Sequence, residues 1–163
     1  MKKNYKSPPQ KTDGVEETAL AHPYSRTSET VSIHTILNIE AENISEPLNR
    51  VNTFRRGLSR KSFDRLKEVT GLDNNILAEA LGVSSKTLQR KDIFGPIQSE
   101  KMYELAELYA VGISCFGKKG FRRWMDRPLF SIGNRKPIDL IDVSEGLMLL
   151  KAEIMRLQHG IAL

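Results

Sequence analysis

The chain has 163 residues, room for one ordinary domain or two small ones. Its apolar share of 39% is slightly low and its charged share of 28% slightly high, so a core can form while part of the chain lies outside it. A net charge of +5 permits nucleic-acid binding without demanding it. The single cysteine, Cys115, excludes an internal disulfide framework and a multi-cysteine metal site, and no apolar run approaches the ~20 residues of a membrane span.

The opening MKKNYKSPPQKTDG is basic, but no hydrophobic segment follows it, so it does not read as a secretory leader and a cytoplasmic placement is expected. Lys2, Lys3, Lys6 and Lys11 alternate with Pro8, Pro9 and Gly14, with little apolar material to fix them. These lysines suit phosphates or simple solvation equally. Residues 31–39, VSIHTILNI, form the first apolar stretch. Ile33, Ile36 and Leu37 fall at helical spacing, Val31, Ile33 and Thr35 at strand spacing, and both readings stay open. Residues 1–44 are therefore expected to be an N-terminal arm, partly disordered. His34 reads as a packing residue, because neither His22 nor His159 is near it and no ligand spacing accompanies any of the three.

A helix is expected over 45–56. Ser45 would cap it, Pro47 is tolerated in its first turn, and Gly57 would end it. Leu48, Val51 and Phe54 would face inward, with Arg50, Arg55 and Arg56 at a basic end. A clearer helix covers 59–70, with Ser59 as cap, Phe63, Leu66 and Val69 on one side, and Gly71 as stop. Arg60 and Lys61 in its first turn oppose the helix dipole, which points to an anionic partner.

Residues 74–91, NNILAEALGVSSKTLQRK, read as a helix-turn-helix. Ile76, Leu77, Ala80 and Leu81 line one face of a first helix, and Ala78 is small where two helices meet. Gly82 makes the sharp turn, Val83 plugs it, and Ser84 caps a second helix over 85–90 with Leu88 inward. The outward residues Ser85, Lys86, Thr87, Gln89 and Arg90 offer hydroxyls, an amide and two cations, a set that suits a major groove. A helical hairpin with a solvated polar face is the bland alternative.

Gly95 and Pro96 break the pattern, and Ser99 is expected to cap a helix running to about residue 113. Its stripe is Met102, Leu105, Ala106, Tyr109 and Ile113, and Glu100, Glu104 and Glu107 form a solvated or protein-facing side. A short separate helix should lie between Gly120 and Pro128, anchored by Phe121, Trp124 and Met125. Lys118, Lys119, Arg122 and Arg123 make a second candidate phosphate surface, or an ordinary solvated face. Cys115 reads as a packing residue. After a loop carrying Gly133-Asn134, Pro137 opens a helical turn. Ser144 should cap a final helix that runs to about residue 159 and is stopped by Gly160. Leu147, Leu150, Ile154, Leu157 and Ile161 recur at three and four residues, a core stripe or a partner seam. Met148, Leu149 and Met155 make this helix apolar on more than one side, so it is deeply buried or shared. The apolar ending Ile161-Ala162-Leu163 is expected to dock.

Trp124, Pro128, Gly133, the run PIDLI at 137–141, and Gly146 together resemble the Xre/MbcA/ParS-like antitoxin toxin-binding domain. Asn134 stands where the family has a second Gly, Ile141 where it has a last Leu, and the link at 142–145 departs from the usual Thr-rich one. The helix-turn-helix lies upstream, where the family has its Xre-like DNA-binding domain, and the resemblance covers roughly residues 45–163. It implies an all-α fold, with an N-terminal helix-turn-helix bundle over 45–97 and a small helical toxin-binding domain over 98–163. It also implies a type II antitoxin that neutralises an NAD-consuming RES-domain toxin from the adjacent gene by covering its active site. Such antitoxins bind double-stranded operator DNA near their own promoter, as homodimers or larger toxin–antitoxin assemblies.

On this reading the DNA-binding residues are Ser85, Lys86, Thr87, Gln89, Arg90, Arg60 and Lys61. Toxin contacts are expected from Leu150, Ile154, Leu157, Gln158, His159, Gly160, Ile161, Ala162 and Leu163, with Lys151, Arg156 and His159 available to pair with toxin carboxylates. No catalytic residue, metal, cofactor or membrane is called for. Neither a Gly-rich phosphate loop nor a nucleophile signature is present, and Asp139 and Asp142 read as turn residues. The alternative is a stand-alone transcription regulator with a C-terminal dimerisation domain.

Overall fold

The computed structural model describes residues 31–160. The lysine-rich stretch 1–30 and the tail residues Ile161, Ala162 and Leu163 lie outside the described residues. Over 31–160 the chain is helical, with one two-residue ribbon. The undecided apolar stretch is a helix, α1 (Ile33–Leu37), closed by Asn38 at φ +49. Ile36 and Leu37 are fully buried among residues of the main core. A five-residue helix is not stable by itself, so this docking holds it. The expected arm over 1–44 therefore needs correcting: from residue 31 onward the chain is part of the body.

A short turn of helix, α2 (Glu42–Ser45), precedes α3 (Pro47–Arg56). Two expectations fail here. Ser45 does not cap α3; its hydroxyl donates to the Glu42 carbonyl at 3.1 Å, and Glu46 takes the cap position. Leu48 and Val51 face solvent, while Thr53 is buried and Phe54 meets Tyr103 at 5.4 Å between ring centroids. Thr53 turns inward because its hydroxyl donates to the Asn43 carbonyl at 2.9 Å, tying α3 to α2.

β1 (Leu58–Ser59) leads into α4 (Arg60–Thr70), capped by Ser59, whose side chain accepts from the Ser62 N–H, and closed by Gly71 in the left-handed region. α5 (Asn74–Ala80) and α6 (Ser85–Arg90) follow, and β2 (Ile93–Phe94) pairs antiparallel with β1. Buried Ser99 pins this ribbon: its hydroxyl accepts from the Leu58 N–H at 2.9 Å and donates to the Phe94 carbonyl at 3.0 Å. The helix expected to start at Ser99 starts instead at Pro96. This element, α7 (Pro96–Met125), consists of two helical arms joined at Gly117, whose φ of +68 and ψ of 162 are not helical. α7 thus includes, as its second arm, the short helix expected between Gly120 and Pro128. The division expected between residues 97 and 98 falls inside its first turns.

α1, α3 and α4 pack on α7, and α8 (Ser144–Gln158) packs alongside it. The connection passes through two 3-10 turns, Phe130–Ile132 and Pro137–Leu140, around the Gly133-Asn134 corner. Asn134 sits at φ +57, a conformation that Asn tolerates best after Gly, which explains Asn where the resemblance has a second Gly. Ser144 is not the cap of α8. Val143 holds that position, and the Ser144 hydroxyl donates to Glu104 Oε2 at 2.8 Å.

Candidate functional site

The first candidate surface is built by α4, α5 and α6. Asp73 caps α5 by accepting from the Asn75 and Ile76 N–H groups, and Ser84 caps α6 by accepting from Thr87 N–H at 3.1 Å. Gly82 turns between them at φ +66. Leu77, Ala78, Ala80, Leu81 and Leu88 are buried and Val83 is half-buried, so the two helices are held as a unit by their inner faces. Lys86, Thr87, Gln89 and Arg90 are exposed together on α6, and Ser85 is half-buried. Two of these side chains are held within the motif. The Ser85 hydroxyl donates to Asn75 Oδ1 at 2.8 Å, and Thr87 bonds Ser84 side chain to side chain at 2.8 Å. That leaves Lys86, Gln89 and Arg90 with their donors directed outward.

Arg60 has a role that spacing did not reveal. Its Nη1 donates to the Leu88 carbonyl at 2.7 Å, its Nε pairs with Asp64 at 3.0 Å, and its guanidinium lies 5.0 Å from the Phe63 ring centroid. It thus joins the first turn of α4 to the last turn of α6 and places a cation at that carbonyl end, where the helix dipole favours one. Lys61 beside it is fully on the surface. Asn75, which sets the Ser85 hydroxyl, belongs to this surface and was missed because an Asn in a first helical turn looks like a cap residue.

The second candidate surface lies on α8. Its inner stripe, Leu147, Leu150 and Ile154, faces α7 and is in the core. Leu150 and Ile154 are 0% exposed, so as placed they cannot touch a partner; the expectation that they contact a toxin is corrected. The other side of α8 is apolar and open: Met148 is 53% exposed, Met155 52%, Leu149 48%, and Leu157 41% at the outer end of the inner stripe. Gln158, His159 and Gly160 are exposed and lead to the tail. Lys151 and Arg156 are already engaged, Lys151 with Glu107 and Arg156 with Glu153. Glu104 and Glu107, expected on a solvated or protein-facing side, instead make the polar seam between α7 and α8.

Two of the residues that carried the resemblance have packing roles, Trp124 within the second part of α7 and Gly146 at the seat of α8. Trp124 is buried, with Phe116 at 5.6 Å and Phe121 at 5.7 Å between ring centroids. Phe121 needs the bare Gly112, where a Cβ would fall 2.2 Å from its ring. Gly146 lets the first turn of α8 rest on the Leu140 carbonyl, 1.9 Å from where a Cβ would sit. Burial raises the Cys115 thiol above its usual value, with a hydrogen bond from Gln158 acting the other way, which suits packing and not a reactive nucleophile. No group of His, Cys, Asp and Glu side chains is arranged to hold a metal ion among the described residues, and no helix among them is long and apolar enough to cross a membrane.

Residues 50–107 match the family described as the antitoxin Xre-like helix-turn-helix domain, and residues 113–160 match the antitoxin Xre/MbcA/ParS C-terminal toxin-binding domain. The chain belongs to the Xre antitoxin family. Two curated relatives are similar over about two thirds or more of the chain. A Sphingobium sp. (strain YBL2) protein named Prs ADP-ribosylating antitoxin is 22% identical over 130 residues, covering 71% of this chain and 82% of the relative. Antitoxin Xre of Yersinia enterocolitica serotype O:8 / biotype 1B is 25% identical over 117 residues, covering 68% of this chain and 79% of the relative. In this Xre antitoxin, α4 to α6 lie in the helix-turn-helix match, and α8, Trp124, Gly133 and Gly146 in the toxin-binding match.

Proposed function

We propose that this Xre antitoxin neutralises an NAD-consuming RES-domain toxin from the adjacent gene by covering its active site with the outer face of α8 and residues 158–163. We further propose that it binds double-stranded operator DNA through α6 and so represses its own operon in the cytoplasm. Residues 45–97 carry DNA recognition in this reading, and 98–163 carry toxin binding. One observation supports the toxin half above all: α8 is apolar on two sides, and its own fold uses only one. Methionines on such a surface adapt to a partner's contours, and a contiguous exposed apolar face marks an interaction site. Filling a cleft with apolar side chains excludes substrate sterically and asks no chemistry of the antitoxin. The name of the Sphingobium relative couples an antitoxin with ADP-ribosylation. ADP-ribosyl groups are drawn from NAD, the substrate class that the resemblance implies for the toxin.

The DNA half rests on the outward donors of Lys86, Gln89 and Arg90 over a well-packed turn. A helix-turn-helix normally reads a half-site, so specific control calls for at least a dimer. The open face of α8 would equally suit a homodimer seam, the arrangement of a stand-alone regulator. Co-expression with the adjacent gene product separates the two, read by tag pull-down, by size exclusion with light scattering, and by growth with and without the antitoxin. A stable complex and restored growth are expected; no complex and no toxicity would overturn the toxin reading. Arg90→Ala should weaken operator binding and leave neutralisation intact, and deletion of 158–163 should do the reverse.

A further inference from the structure

The last part of α7 carries Lys118, Lys119, Arg122 and Arg123, and Arg127 follows just beyond its end. All five are exposed. Among the described residues none of them is in an ion pair. The nearby Asp126 is already held by Lys136 at 2.8 Å. Lys118 with Arg122 and Lys119 with Arg123 are like charges one helical turn apart, an arrangement that disfavours the helix. The dipole of α7 accounts for Arg122 and Arg123 in its last turn, but gives no such support to Lys118 and Lys119 beside the Gly117 break.

The cluster has a defined place relative to the helix-turn-helix. The Arg122 guanidinium lies against Gly71, so close that a Cβ there would be 2.1 Å from Nη2. Gly71 closes α4, and Asp73, two residues on, caps α5. Asn75 in the first turn of α5 holds Ser85, the first residue of α6. A recognition helix presents its N-terminal residues to base edges while the preceding helix crosses the backbone. Arg122 therefore brings the second part of α7 to the start of α5, the end of the motif that Asn75 joins to the first residue of α6. We propose that Lys118, Lys119, Arg123 and Arg127 form a second phosphate-contact surface, by which the toxin-binding half grips the DNA backbone beside the stretch that α6 reads. This rests on the DNA-binding reading above and extends it. Contacts of this kind add affinity and fix register without reading sequence.

The test uses the full-length chain carrying Lys118→Gln, Lys119→Gln, Arg123→Gln and Arg127→Gln together. Arg122 is left alone because it packs on Gly71. Affinity for a duplex from the chain's own promoter region, and for a scrambled duplex of the same length, is measured by fluorescence anisotropy between about 50 and 200 mM salt. The fourfold variant should bind both duplexes at least about tenfold more weakly at low salt, with a log–log salt slope shallower by roughly two to four. Its complex with the adjacent gene product should persist. If the fourfold variant loses its thermal transition, Lys119→Gln with Arg123→Gln should give about half the slope change. Unchanged affinity and slope, with Arg90→Ala still weakening binding, would overturn this proposal and leave the DNA reading standing. Loss of the protein complex with DNA binding intact would also overturn it and assign the cations to an acidic protein surface. No DNA binding by the unaltered chain would remove both.

Discussion

Gly146→Ala isolates the contact that seats α8. In an open helix this change stabilises by about 1 kcal/mol, because Ala has the better helix propensity. Here the added Cβ would sit 1.9 Å from the Leu140 carbonyl oxygen and 2.9 Å from its carbon. The obstacle is main chain and has no rotamer to swing away. Reaching ordinary van der Waals contact requires α8 and the Pro137–Leu140 turn to separate by roughly 1.5 Å, which loosens buried Leu147 and Ile141. Overpacking of a dense core costs about 1–3 kcal/mol, and a backbone obstacle of this depth belongs at or above the top of that range. After the propensity gain, a net loss of about 2 kcal/mol is expected. For a chain of this size that lowers Tm by roughly 4–8 °C. Thermal unfolding followed by circular dichroism reads this directly, and capture of the adjacent gene product should weaken more than DNA binding does. A Gly146→Ala chain that melts at or above the unaltered Tm would refute the reasoning, because α8 would then not rest on that carbonyl.

Three further outcomes follow from the packing. Ser99→Ala removes two buried hydrogen bonds and strands the Leu58 N–H, so a loss of about 1–3 kcal/mol in urea unfolding is expected. Leu150→Ala should cost about 2–5 kcal/mol as a core truncation, whereas Met148→Gln with Met155→Gln should shift stability by less than about 1 kcal/mol yet weaken toxin capture in the same pull-down. Asn134→Gly should be tolerated, and Asn134→Val should destabilise by about 1–2 kcal/mol through its left-handed backbone, as judged from melting curves.

The motif of α5 and α6 was legible because every signal in it is local. Asp73, Ser84, Gly71 and Gly82 act on groups a few residues away, and the apolar spacing closes on itself. Elsewhere the local signals had more than one use. A Ser ahead of an apolar run suits a cap, yet Ser99 bonds a distant ribbon and Ser144 reaches Glu104, partners that spacing does not show. Leu48 and Val51 had the right period for a buried face, but α3 is fixed by Thr53 and Phe54. α1 was undecidable because it exists only as a docked piece. The final helix was read as apolar on two sides, and the fold had to choose which side to bury. It chose the side with Leu150 and Ile154, leaving the methionines to carry the proposed contact.

α7 begins within the first matched region and ends within the second, with no peptide linker between them. A cut anywhere across 108–112 would sever a continuous helix and strip the cover from Leu105, Leu108, Tyr109 and Ile113. Neither half then inherits a finished core, so limited proteolysis should yield no lasting fragment of either. The two proposed recognition duties should be separable by point substitution but not by scissors. Exchange of toxin-binding halves between relatives would succeed only where the sequence of this shared strut is exchanged with them.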